Sequence, residues 1–244
     1  MDLSYTKERE IIDFVAKQDN PSVCFYPQET EMGHRLLASL RGKTLVERER
    51  PDFEDIEGRL LIEVMRVDDH PRRSGKDATR ARESAILREI EAAGFADLAP
   101  GASVTVIANT GLPTADDHSF RAYKHHFAKV VRNHAEKVDA YRAERPGFDL
   151  AFVIFDESTA YFESMGAFGK DGLSRPHFHF ADRDFVAILK EARVDCIAWV
   201  TPHKCLMAAE GKVPLPLVTI IDLNCPSREE HQHYDPRRMQ SGEA

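Results

Sequence analysis

Two acidic residues, Asp52 and Glu63, stand on short apolar runs on either side of Glu57-Gly58 in the stretch RPDFEDIEGRLLIEVMRV. Glycine is a turn former, and alternating residues on both sides of it suit a hairpin. With Glu57-Gly58 as the turn, Ile56 faces Arg59, and carrying that pairing outward sets Asp52 directly opposite Glu63. Opposed side chains in such a pair have Cβ atoms about 4.5 to 5.5 Å apart. Two carboxylates held that close repel each other unless a proton or a cation comes between them. A divalent cation with oxygen ligands resolves the repulsion. Magnesium typically takes one or two carboxylates and keeps its other positions for water and phosphate. Such an ion can activate water and steady the charge on a phosphodiester. The plainer alternative is a pair of solvent-facing acids near a sheet edge.

Three other groups of residues invite chemistry. Directly after the second run, HPRRSGKDATRAR carries Arg72, Arg73, Lys76, Arg80 and Arg82 against the single acid Asp77. Cations beside a phosphodiester site contact the backbone without reading sequence. Arg121, His125, Lys129 and Arg132 recur at helical spacing and form a second candidate stripe, with a solvated charged face as the alternative. His177 and His179 alternate in RPHFHF, a spacing that can bind zinc or iron, although Phe178 and Phe180 fit a half-buried strand equally well. His134 reads as a core histidine with one nitrogen satisfied. Asp156 reads as the cap of the turn that follows it. The four cysteines, at 24, 196, 205 and 225, form no CxxC pair and suit a reducing cytoplasm.

Elements must hold these residues in place. The 244 residues are 42% hydrophobic, enough for one large domain with a full core. A net charge of −8 disfavours attachment to nucleic acid by overall charge. No apolar run reaches the roughly 18 residues of a membrane span, so no membrane partner is expected. Periodicity predicts helices near 5–18, 29–40, 77–93, 117–143 and 182–192. Strands are predicted in SVCFY, in the two arms of the hairpin, near 102–108, over 149–155, in DCIAWVT and in PLVTIIDL. HFHF reads as a short alternating strand and GAFGKDGLSRP as a glycine-rich loop. The nearly continuous apolar run at 149–155 marks a central strand covered on both faces. The expected fold is α/β, a mixed central sheet flanked by helices. It forms one domain over 1–225, with a loose polar tail at 226–244.

ERPDF, a turn, then LLIEVMR resembles the PD-(D/E)XK nuclease superfamily, the restriction-endonuclease-like fold. The resemblance covers about residues 28–110. It implies a core of helix, strand hairpin, helix and strand, with a helical insertion and extra C-terminal strands around it. Pro51-Asp52 stands where that family has Pro-Asp, and Glu63-Val64-Met65 where it has Glu-x-Lys. The resemblance implies Mg²⁺ or Mn²⁺ held by Asp52, Glu63 and the carbonyl of Val64, with help from Glu31 (or Glu29) on the preceding helix. It implies DNA as partner and, as an open expectation, a homodimer. Met65 departs from the pattern, having neither charge nor exchangeable proton, and Lys76 is the leading substitute. Two readings follow: a metal-dependent nuclease, or an inactive member that binds nucleic acid or a protein partner. A histidine-metal enzyme using His177 and His179 is a third.

Overall fold

The computed structural model describes residues 8–94, 110–164, 174–208, 211–226 and 231–242. In chain order its strands are β1 (Val23–Tyr26), β2 (Val46–Glu47), β3 (Phe53–Asp55), β4 (Leu60–Val67), the short pair β5 (Arg72–Arg73) and β6 (Lys76–Asp77), β7 (Asp149–Asp156), β8 (Tyr161–Ser164), β9 (Ser174–Pro176), β10 (Cys196–Val200), β11 (Cys205–Ala208), β12 (Gly211–Pro214), β13 (Val218–Asp222) and β14 (Met239–Ser241). The helices are α1 (Glu8–Ala16), α2 (Glu31–Arg41), α3 (Ala78–Ala92), α4 (Thr114–Asp117), α5 (Phe120–Ala135), α6 (Val138–Glu144) and α7 (Arg183–Glu191). None of the described helices is long and apolar enough to cross a membrane.

Seven strands form one mixed sheet in the order β1-β13-β10-β7-β4-β3-β2. The α/β class expected from the sequence is the one observed. β7 is the middle strand, and every residue from Leu150 to Asp156 is buried, as its apolar run predicts. β4, β7 and β10 run parallel, while β3 and β13 run against their inner neighbours. Strand alternation sends Leu61, Met65, Phe152, Ile154, Ile197 and Trp199 to one face, where α5, α6 and α7 cover them. Ile62, Val64, Val153, Phe155, Ala198 and Val200 go to the other, under α1 and α2. The result is a three-layer sandwich. α5 joins it through Phe120, Tyr123, Phe127 and Val131, spaced three and four apart so that one stripe faces the sheet. Ser119 caps its start by accepting from the backbone N–H of Ala122.

Three expectations need correction. The single helix predicted over 117–143 is two helices, α5 and α6, and the break at Glu136-Lys137 brings Lys137 and Tyr141 to the sheet surface. HFHF is no strand: the ladder ends at β9, and residues 179–181 form a 3₁₀ turn that leads to Asp182, the cap of α7. The polar end of the chain is not loose over 231–242. Tyr234 is buried there, its hydroxyl accepting from the Phe178 backbone N–H, and β14 pairs with β8. One aromatic anchor outweighs a polar composition. The strand predicted at 102–108 and most of the glycine-rich loop lie outside the described residues.

Candidate functional site

The hairpin keeps the expected register. Phe53 pairs with Ile62, Glu54 with Leu61 and Asp55 with Leu60, so the next step places Asp52 level with Glu63. The connection is a four-residue turn at 56–59 rather than a two-residue one. Arg59 takes the left-handed conformation (φ 49°). Gly58 is required for a different reason: a Cβ there would meet the Asp55 carboxylate at 2.6 Å and the Ser39 hydroxyl at 2.7 Å.

Asp52 accepts a hydrogen bond from the backbone N–H of Val64 through Oδ2, at 2.7 Å. The N–H and C=O of one strand residue point to the same neighbour. The Val64 carbonyl therefore faces the Asp52 side, opposite Pro51, which has no N–H to offer it. Partial burial raises the Asp52 pKa to about 6, with the Glu63 charge adding to the rise against the Val64 hydrogen bond.

Glu63 is 2% exposed and held by three donors from across the layer. His134 Nδ1 lies 2.7 Å and Lys137 Nζ 3.0 Å from Oε1, and the Tyr141 hydroxyl donates to Oε2 at 2.9 Å. Burial pushes this carboxyl up, but the hydrogen bonds and charges of His134 and Lys137 outweigh it and hold the pKa below the ordinary value. Burial and the Glu63 charge raise the Tyr141 phenol. His134 has one nitrogen on Glu63, as its helical position suggests, but the ring is half-buried rather than in the core.

Met65 shares the Glu63 face and is packed into the core at 3% exposure. The cation beside Glu63 is Lys137, 74 positions further along the chain. Lys76 is exposed in the β5–β6 hairpin past the carboxyl end of β4, some four residues, ~13 Å of strand, beyond Glu63. Glu31 opens α2, whose Leu36, Leu37 and Leu40 pack on the opposite face of the sheet. The structure does not bring either of these to Glu63. Periodicity could not find Lys137, because its contact depends on how α5 and α6 cross the sheet.

The basic segment is largely neutralised. Arg72 donates twice to Asp68, at 2.9 and 2.7 Å, and lies 3.2 Å from Asp77. Arg80 reaches Glu157, and Arg82 bonds the Thr110 carbonyl and lies 3.8 Å from Glu89. The backbone of Arg73 lies in β5, paired with Lys76.

Asp68, Asp77 and Glu157 belong to a polar cluster at the carboxyl ends of β4, β7 and β10, where ligands bind in open α/β sheets. Ligand atoms of Asp68, His70 and Asp77 lie within 4.8 Å of one another, the one such group of three among the described residues. Arg72 spans it. Asp69 accepts from the Tyr161 hydroxyl (2.5 Å) and the Thr159 backbone N–H (3.3 Å), and lies 3.1 Å from His118 Nδ1. Asp156 caps its turn through Ser158, as expected. It also accepts from Tyr123, Trp199 Nε1 and the ammonium of Lys204, the last at 2.8 Å, with both ions of that pair out of water. Burial alone would raise the Asp156 carboxyl, but Lys204 brings it below the ordinary value. His177 bonds Asp182 at 2.8 Å. His179 is fully buried with neither ring nitrogen partnered, and burial and Lys204 push its pKa well below the ordinary value. The two histidines thus differ in their surroundings, His177 held by a carboxylate and His179 by none among the described residues. Cys196, at 0% exposure, is an ordinary buried thiol inside β10.

The chain matches no protein-family model, no curated protein and no solved structure.

Proposed function

We propose that the protein belongs to the class of divalent-metal hydrolases. Within that class, the reading the geometry supports best is a nuclease-like enzyme acting on DNA phosphodiesters. The observation that carries it is Asp52 level with Glu63 across the hairpin, with Lys137 on Glu63. Asp52 keeps Oδ1 free of the Val64 bond, Glu63 Oε2 has one acceptor position left beside Tyr141, and the Val64 carbonyl faces the same side. That donor set fits one Mg²⁺ or Mn²⁺ ion, which would supply activated water and a counter-charge for the phosphate. Lys137 supplies a positive charge beside Glu63, the place that Met65 leaves empty of charge. His134 and Tyr141 fix the Glu63 carboxylate in one orientation.

The three donors that already hold Glu63 favour a second reading, a scaffold of this kind that binds nucleic acid or a protein partner without cutting. Plasmid and oligonucleotide cleavage with Mg²⁺ or Mn²⁺ separates the two. The enzyme reading expects cleavage that chelator abolishes and that Asp52→Asn and Lys137→Met each reduce at least 100-fold. Folded protein with no cleavage in either metal leaves the binding reading.

A further inference from the structure

We propose that a cationic groove on the helical face is a binding track for a nucleic-acid backbone. This rests on the phosphodiester reading above but uses none of its catalytic residues. The groove has a volume of about 550 Å³ and lies between α5, α7 and the segment at Asp235–Arg237. Its cations are Arg121, Lys124, Arg132 and Arg237, with His125 beside them, against the one lining acid Asp235. Ala128 and Ile188 form an apolar floor. In a chain of net charge −8 this is a local reversal of sign.

Arg121, His125, Ala128 and Arg132 are spaced four, three and four apart, so they form one line along α5. From Arg121 to Arg132 that line is about 16 Å long at 1.5 Å per residue. Its length suits an extended polyanion better than a single small anion. Arg121 and His125 are exposed and carry no ion pair among the described residues. Arg132 pairs with Glu191, but both side chains are 59% exposed. Such a pair is worth little in water and exchanges readily for a phosphate. Lys124 is paired with Asp184 and Arg237 with Asp235, so they serve as reserve charge at the walls. Three of the four cations are guanidinium groups, whose planar fork matches two phosphate oxygens. An apolar floor with small Ala128 leaves room for sugar and base edges, and no base-reading set is present, so the binding is not sequence-specific.

The test is fluorescence anisotropy with labelled single-stranded and duplex DNA in EDTA, where cleavage cannot occur. The proposal expects binding that weakens steeply with salt. It expects Arg121→Glu/His125→Glu to weaken binding at least 10-fold and flatten the salt dependence, with Arg121→Gln/His125→Gln intermediate and thermal melting unchanged in both. DNA binding that neither double variant alters, or no binding at low salt, overturns the track. Poly-glutamate competing as well as DNA, charge for charge, overturns the nucleic-acid occupant in favour of an acidic peptide. Groove-dependent binding with no cleavage in any metal keeps the track and removes the nuclease reading. Cleavage that survives groove reversal unchanged does the opposite.

Discussion

Replacing Asp52 with asparagine should make the protein more stable at neutral pH. The carboxyl titrates near about 6 in the fold against 3.8 as a free group. At about 1.36 kcal/mol per pH unit the full difference is ~3 kcal/mol. Water reaches this half-buried group, which cuts the effect to roughly 1 to 1.5 kcal/mol. The sign follows from the raised pKa. Below pH 3.8 the group is neutral in both folded and unfolded chains and imposes no penalty. Between 3.8 and about 6 the unfolded chain loses its proton first and gains stability, so folding weakens as pH rises through that window. Above it the penalty is complete. Asparagine keeps an acceptor for the Val64 N–H and has no charge to repel Glu63. Thermal melting in EDTA at pH 7.5 should therefore rise by about 2 to 6 °C in Asp52→Asn, and the gain should vanish near pH 3.5. An unchanged or lower melting temperature at pH 7.5 would refute the claim that the fold holds a charged Asp52 at a cost, set chiefly by burial and in part by Glu63.

Three further outcomes follow from buried groups. Lys204→Met strands the Asp156 carboxylate without its cation at the end of β7, and urea denaturation should show a loss of about 3 to 5 kcal/mol; a loss under 1 kcal/mol would mean the pair is not closed to water. His179 is neutral in the fold and its pKa is depressed, so its contribution is complete above pH 6.5 and falls as the unfolded chain takes up a proton below that. Stability should decline from pH 6.5 downward, by up to about 1.4 kcal/mol per pH unit from this group, and the decline should be shallower in His179→Phe. Tyr234→Ala should cost about 3 to 5 kcal/mol and expose the bonds around 231–242 to rapid amide exchange, because this ring is the buried anchor of that segment.

What the sequence made legible was what is local. The hairpin register needed only a glycine and two alternating runs, and it survived even though the turn is longer than expected. β7 announced its central place by an unbroken apolar stretch, and Asp156 announced its cap by the serine two residues on. The site was only half legible. Asp52 and Glu63 lie eleven positions apart and are joined by one turn, whereas Lys137 and His134 arrive from a helix pair on the far side of a long crossover. No spacing rule links position 63 to position 137. Lys76 was attractive because it is close in sequence, but a strand carries the chain away from Glu63 at about 3.3 Å per residue. The basic run at 72–82 shows the same limit. Its composition suggested an open cationic face, while the fold sets Arg72 and Arg80 against Asp68 and Glu157, which come from two different strand ends.

Binding of Mn²⁺ to the purified protein, followed by the loss of the free-ion paramagnetic resonance signal at pH 7.5, tests the central idea most directly. One ion per chain should bind at sub-millimolar concentration, and the site should disappear in Asp52→Asn while remaining in a variant altered at Asp68 and Asp77. No binding, or binding that persists without the Asp52 charge and is lost with Asp68 and Asp77, would contradict it.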